Sequence, residues 1–239
     1  MRRRVGLIIP SSNRMVEGEM LAAFLPGAQP HVTRLRITGA HHVDLERLLE
    51  MVGEATQLLL DARCDAIAFH CTANSMEAGP EGEAAILAAM RAAGGTHVTT
   101  TATAIRAAFE TLGARRIVLV TPYGPSVTAK EAAFLGSVGI EVVHWRAFQL
   151  AGSDAYCSTP ARFWRDGVLA ERREAAEAYL VSCANISVFP VVAEIERELG
   201  RPVVTSNQAV LWHLLRLAGT EAGADLPGRL FDAGREART

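Results

Sequence analysis

Two cysteines in this chain have neighbours that could make them reactive. Cys71 ends the apolar run DAIAFH (65–70) and Cys183 ends AYLVS (178–182). Small polar residues follow each: Thr72-Ala73-Asn74-Ser75 after the first, Ala184-Asn185 after the second. A thiolate attacks carbon or takes up a proton, and exposed backbone N–H groups at a helix N-terminus favour that ionised form. Two thiols across one ligand could serve both faces of a planar carbon. Ser12, Asn13, Thr72, Asn74, Ser75, Tyr123 and Asn185 also follow apolar runs, where they are suited to capping and turns. As a set, with the backbone of Ala73 and Ala184, they form a ring of neutral donors fit for carboxylate oxygens. Arg14 reads as a solvent-facing helical residue, and His70 as a packed residue facing away from Cys71. His41-His42 lies in a loop before a helix without an evident partner. Cys64, between Arg63 and Asp65, and Cys157, without a counterpart elsewhere in the chain, read as small buried hydrophobes.

The elements that would position these residues alternate strictly. Apolar runs at 5–10, 31–37, 65–70, 97–100, 116–121, 141–145, 179–183 and 202–204 predict strands. Amphipathic segments at 15–24, 45–62, 82–92, 103–112, 127–135, 169–178, 191–199 and 208–217 predict helices. Strand–helix alternation of this kind argues for parallel sheets covered by helices on both faces. In such sheets ligands gather beyond the carboxyl ends of the strands, where all the polar segments above fall. Residues 220–239, rich in Gly, Ala and charge, read as a loosely held tail.

The chain also repeats itself. RVGLIIPSSN (4–13) aligns with RIVLVTPYGP (116–125), and the Cys71 segment with the Cys183 segment, both at an offset of 112 residues. TTTATAIRAAFETLG (99–113) meets TSNQAVLWHLLRLAG (205–219) at 106, which predicts a last loop six residues shorter in the second half. A duplicated α/β unit therefore puts Cys71 and Cys183 on opposite walls of one cleft.

Composition narrows the function classes. With 49% hydrophobic and 21% charged residues the chain can bury a core, unlike a disordered one. Net charge is −2 with no basic stripe, against nucleic-acid binding. No apolar stretch is long enough to span a bilayer, and the start lacks a secretory h-region, so a cytoplasmic protein is expected. Four scattered cysteines make no disulfide scaffold, and no CxxC or adjoining His pair suggests zinc. GxGxxG after a strand, GxxxxGK[ST] and GxSxG are absent, so neither a nucleotide cofactor nor a serine-hydrolase elbow is expected.

From about residue 5 to 217 the sequence resembles the aspartate/glutamate racemase superfamily, in its maleate cis–trans isomerase and arylmalonate decarboxylase branch. GLIIPSSN (6–13), CTANS (71–75), VTPYG (120–124), SCANI (182–186) and ELGRPVVTSNQAVLWHLLR (198–216) carry the likeness. The resemblance implies two pseudo-symmetric lobes, each a four-stranded parallel sheet flanked by helices, with the active site in the cleft and no cofactor or metal. It also implies a C-terminal helix returning to the first lobe, which gives lobes of 1–102 plus 208–239 and 103–207. Isomerases of the branch use the first cysteine as nucleophile and the second as acid/base partner. Decarboxylases have glycine at the first position, so two cysteines point to an isomerase. Asn13, Thr72 and Tyr123 fall on substrate-binding positions of the family. Ala73 replaces a second hydroxyl residue of the decarboxylases. Ser153-Asp154 stands near an asparagine of the isomerases, where an aspartate is expected to repel a second carboxylate. The expectation is a maleate-like isomerase acting on a small carboxylate or dicarboxylate, compatible with a homodimer or higher homo-oligomer. The alternatives are an aspartate- or glutamate-type racemase with two opposed thiols, an arylmalonate-type decarboxylase, or an inactive carboxylate-binding protein.

Overall fold

A computed structural model describes residues 2–24, 27–38, 43–220 and 226–236; His41-His42 lies outside them. Strands β1 (Arg3–Pro10), β2 (Ala28–Leu35), β3 (Ala66–Phe69) and β4 (Val98–Thr100) form one parallel sheet in the order β2-β1-β3-β4. Strands β5 (Arg116–Thr121), β6 (Glu141–Ala147), β7 (Ala178–Val181) and β8 (Val203–Thr205) form a second, β6-β5-β7-β8. The order is the same, and so is the register of the inner pair; the β5–β6 pair alone carries a bulge, between Ile117 and Val118. Val5 pairs with Ala66 and Ile117 with Ala178, all displaced by 112 residues. Even the strand bases match: Asp65 accepts the backbone N–H of Arg4, and Glu177 those of Arg115 and Arg116.

Alternation along the inner strands divides the core into three. Leu7 and Ile9 of β1 share a central cluster with Ile117 and Leu119 of β5. Ile8 points to an outer layer with α2 (Leu45–Asp61) and α4 (Gly79–Ala92). Val118 and Val120 point to the opposite outer layer with α8 (Ala161–Ala170) and α9 (Val192–Leu199). α2 lies close on β1 because Gly6 lacks a side chain: a Cβ there would stand 2.8 Å from Leu59 Cδ1.

Two helices fill the space between the sheets. α5 (Thr101–Leu112) follows β4, and α10 (Ser206–Leu217) follows β8. Each is capped by the last residue of its strand: Thr100 accepts from the Thr103 N–H, and Thr205 from the Gln208 N–H. They pack on each other more extensively than any other helix pair; α10 also touches β3, β4 and α1 (Val16–Phe24), and α5 touches β8. The two lobes are thus tied through one continuous apolar core rather than hinged on a polar seam.

Several sequence expectations need correction. The caps Thr100 and Thr205 set the last repeat offset at 105, so the final loop is shortened by seven residues, not six. The segment 169–178 is not a helix. α8 ends at Ala170, because Trp164 and Val168 bury its apolar side while Glu171-Arg172-Arg173-Glu174 offers no apolar residue to continue it. A short helix α7 (Gly152–Ser158) precedes α8, in a stretch where no helix was expected. The Cys71 turn is itself a five-residue helix, α3 (Thr72–Met76). The C-terminal segment is not a loose tail: α11 (Arg229–Glu236) is docked by buried Leu230 and Phe231 and packs on α5 and α10. Between β5 and β6 runs α6 (Pro125–Ser137), completing the helices.

Candidate active site

Cys71 and Cys183 line the same cavity, together with Pro10, Ser12, Asn13, Thr72, Tyr123, Ala184 and Asn185. Three of the candidate donors lie elsewhere: Ala73 and Asn74 in the walls of two other cavities, and Ser75 with its hydroxyl on Thr72 O. The shared cavity has a volume of about 10 Å³, room for roughly one water. Substrate entry therefore requires its walls to part.

Strand ends and the turns after them position both thiols. Cys71 is the N-cap of α3; its Sγ–H donates to Asn74 Oδ1 at 3.0 Å. Cys183 follows β7 in extended alignment with Ser182, whose N–H donates to Val120 O. The Cys183 sulfur accepts the Asn185 N–H at 3.3 Å and the Tyr123 hydroxyl. Burial pushes both thiols up to about 12, against the N–H of Asn74 on Cys71 and the Tyr123 and Asn185 donors on Cys183. Burial thus runs against the expectation of ready thiolates. Desolvation outweighs local donors, and a helix of five residues brings little dipole.

The polar ring is occupied mainly in joining the two lobes. Asn13 Nδ2 donates to Ala184 O at 3.0 Å, while its Oδ1 accepts the N–H groups of Met15 and Val16 and so caps α1. Asn185 Nδ2 donates to Ser12 O and its Oδ1 accepts the Arg14 N–H. The Ser12 hydroxyl donates to Ile37 O. Thr72 donates to Ser206 Oγ at 2.9 Å, and the same oxygen accepts the Cys183 N–H at 3.1 Å. Ser206 thus connects the two cysteine turns, and sequence reasoning missed it. Its repeat mate at the 105-residue offset, Thr101, was the available signal: Thr101 bonds His70 as Ser206 bonds Thr72.

Other residues fall where expected or depart from it. His70 is buried and packed: Nε2–H donates to Asn207 Oδ1 at 2.9 Å and Nδ1 accepts from Thr101, with burial lowering its pKa to about 4. Cys64 sits in the outer core of the first lobe. Cys157 is not a plain core residue: half-buried, it donates to Asn185 Oδ1 at 3.1 Å. Arg14 lies before α1 rather than on it and pairs with Asp154. The Asp154 side chain is 94% exposed and lines neither the dyad cavity nor its neighbour, so solvent screens its charge from both. Among the described residues, no group of three or more His, Cys, Asp and Glu could hold a metal, and no helix is long and apolar enough to cross a membrane.

Beyond Tyr123 lies a cavity of about 390 Å³, lined by Ala73, Val127, Leu150 and Tyr156, with Glu131 also in its wall. The Tyr156 ring meets Tyr123 edge-on, centroids 5.9 Å apart. Glu131 is buried; its Oε2 accepts the Ser182 hydroxyl at 2.7 Å, and its Oε1 has no partner among the described residues. Burial raises its pKa to about 8.

Two parallel-sheet lobes with a thiol from each in one interlobe cavity make a two-cysteine α/β architecture. The arylmalonate decarboxylase family profile matches residues 5–231, and the chain belongs to that family. It is 33% identical to a maleate isomerase of Nocardia farcinica (98% of this chain, 94% of that one). It is 29% identical to an arylmalonate decarboxylase of Bordetella bronchiseptica (95% and 96%). Among solved structures it is similar to a cysteine-to-serine mutant of the Nocardia farcinica maleate cis–trans isomerase holding a covalently bound succinylcysteine intermediate. That similarity has TM-score 0.86 and 27% identity, over 97% of this chain and 98% of the other.

Proposed function

We propose that this protein is a cofactor-independent cis–trans isomerase of a small unsaturated dicarboxylate, maleate in the simplest case. The observation that carries this reading is the presence of both Cys71 and Cys183 in one cavity. A decarboxylase of the branch needs only the second thiol. The covalent succinylcysteine of the Nocardia enzyme is the species expected from thiol addition to maleate.

In this reading Cys71 Sγ adds to one alkene carbon, forming the C–S bond as the π pair moves toward the adjacent carboxylate. Tyr123, Asn13 and the backbone N–H groups of the cysteine turns hold that enolate-like charge. Cys183 protonates the neighbouring carbon and takes up the proton released by Cys71, so S–H has added across the double bond. The former double bond is now single and rotates. Cys183 then takes back the proton from carbon while giving its own to Cys71 Sγ, the C–S bond breaks, and the trans acid leaves with both thiols restored. Neither thiol needs to be ionised before the substrate arrives.

Intact-mass spectrometry tests the covalent step. Cys183→Ser protein incubated with maleate should gain the mass of one maleate, mapped to Cys71 by peptide digestion. An unmodified mass, together with full turnover by a Cys71→Ala variant, would refute it. Slow alkylation of the resting thiols does not distinguish an enzyme from an inactive binding protein, because burial alone makes them slow.

A further inference from the structure

We propose that the cavity beyond Tyr123 seats an uncharged apolar arm of the substrate, so that the preferred substrate is a cis-butenedioate bearing an aliphatic or aromatic substituent, with Glu131 as a specificity-determining residue in the wall. This rests on the isomerase reading above and names its substrate class.

Size is the first argument. About 390 Å³ lies within the range of small-molecule sites, ~300–1,000 Å³, whereas maleate has only four carbons and four oxygens. The second is position. Tyr123 lines both cavities, and Ala73 follows directly on Thr72 of the dyad cavity, so the larger space adjoins the reacting carbons across the Tyr123 ring. The third is lining. Ala73, Val127, Leu150 and the rings of Tyr123 and Tyr156 offer apolar surface, and the charged pair Lys130–Glu77, which also borders the space, is joined by a 2.9 Å ion pair.

Glu131 supplies the fourth. Its repeat mate on α1, Glu19, stands 112 residues earlier and is fully engaged, accepting from Asn207 Nδ2 and from the N–H groups of Val188 and Phe189. Glu131 has one oxygen engaged and the other open among the described residues. A buried carboxyl without a cation stays neutral, so this wall presents no charge to an apolar arm. An anionic arm meets no buried cation in this wall, and its desolvation goes unmet.

The test compares kcat/KM for maleate, 2-phenylmaleate and cis-aconitate, whose arm carries a carboxylate, followed by proton NMR. The wild type should favour 2-phenylmaleate over maleate by ~10-fold or more, with cis-aconitate slowest. Val127→Trp, or Leu150→Phe if the first variant does not fold, should lower the phenylmaleate-to-maleate ratio by ~10-fold. The groups facing Glu131 are Cys71, Cys183, Tyr123 and Tyr156, all held protonated by burial, with the Lys130–Glu77 pair beside it. At pH 9 the wild-type preference should therefore fall as Glu131 ionises, while Glu131→Gln keeps it, a difference that a purely structural role would not produce. Turnover of maleate without a phenylmaleate preference, or a ratio untouched by filling the cavity, overturns the proposal and leaves the isomerase reading standing. Failure to isomerise any of the three overturns both.

Discussion

Replacing Glu131 with glutamine should change stability in a defined, pH-dependent way, with no gain near pH 5 and a more stable protein at pH 8 and above. The fold holds this carboxyl at a pKa of about 8 against an ordinary 4.5, because burial penalises its charged form. A raised folded pKa means that the fold's preference for the protonated acid is fully present below 4.5 and is lost as pH rises through 8. Each unit in that window is worth about 1.4 kcal/mol, so wild type should lose about 5 kcal/mol across it. Glutamine does not titrate, and its carbonyl still accepts the Ser182 hydroxyl. Its unpaired amide adds a pH-independent cost of ~1–3 kcal/mol. Urea unfolding of both proteins at pH 5, 6.5, 8 and 9 isolates the effect, since the other raised carboxyls, Glu19 and Glu196, cancel in the difference. The stability gap should widen in favour of Glu131→Gln up to pH 8 and level off beyond it. A gap constant between pH 5 and 8 would show that Glu131 is not desolvated, and the argument from burial would fail.

Ser206→Ala should weaken turnover at least as much as folding, because it frees the Cys183 N–H and the Thr72 hydroxyl together. The expected stability loss is ~1–3 kcal/mol by urea unfolding. Asp154→Asn should leave KM for maleate unchanged and leave the urea midpoint where it is in wild type, as expected of an exposed ion pair outside the cavity. Alkylation of Cys71 by iodoacetamide should climb steadily from pH 7 to 10 with no plateau, since a thiol near 12 gains thiolate throughout that range. Phe109→Ala, in the core shared by both lobes, should cost ~3–5 kcal/mol and abolish folding of the two lobes together rather than of one.

Much of this architecture was legible because buried parallel strands leave a plain trace. β1, β3, β5 and β7 are covered on both faces, so they read as unbroken apolar runs that end where the polar groups begin. The same runs exposed the repeat, and the repeat brought Cys71 and Cys183 together before any coordinates did. The failures have physical causes as well. Glu171–Glu174 belongs to residue types with good helix propensity, but no apolar stripe ties them to the core, and tertiary packing decides helix ends more than propensity. α11 was hidden because a docked surface helix needs few apolar residues, here Leu230 and Phe231. Ser206 and Glu131 escaped because an isolated serine or glutamate on a helix is ordinary in sequence. Only the facing strand end, Cys183 for one and Ser182 for the other, gives each its meaning.

In the proposed reaction, the elevated thiol pKa values bear on why two cysteines would be used. Nine residues line the dyad cavity and no lysine or arginine is among them; Arg14 is drawn outward to Asp154. A dicarboxylate bound there carries two negative charges into a space held by neutral donors. A preformed thiolate would be a third, and its repulsion in a desolvated site would oppose binding. A thiol that keeps its proton until attack avoids that repulsion. Adding S–H across the alkene leaves the total charge unchanged from bound substrate to intermediate, provided that a second group accepts one proton as it delivers another. Cys183, hydrogen-bonded by Tyr123 and Asn185, is placed to do so. On this reasoning the buried, uncharged site and the pair of cysteines are two parts of one solution. Introducing a cation, as in Asn185→Lys, should tighten binding of maleate yet slow release of its product, visible as a lower KM with a lower kcat.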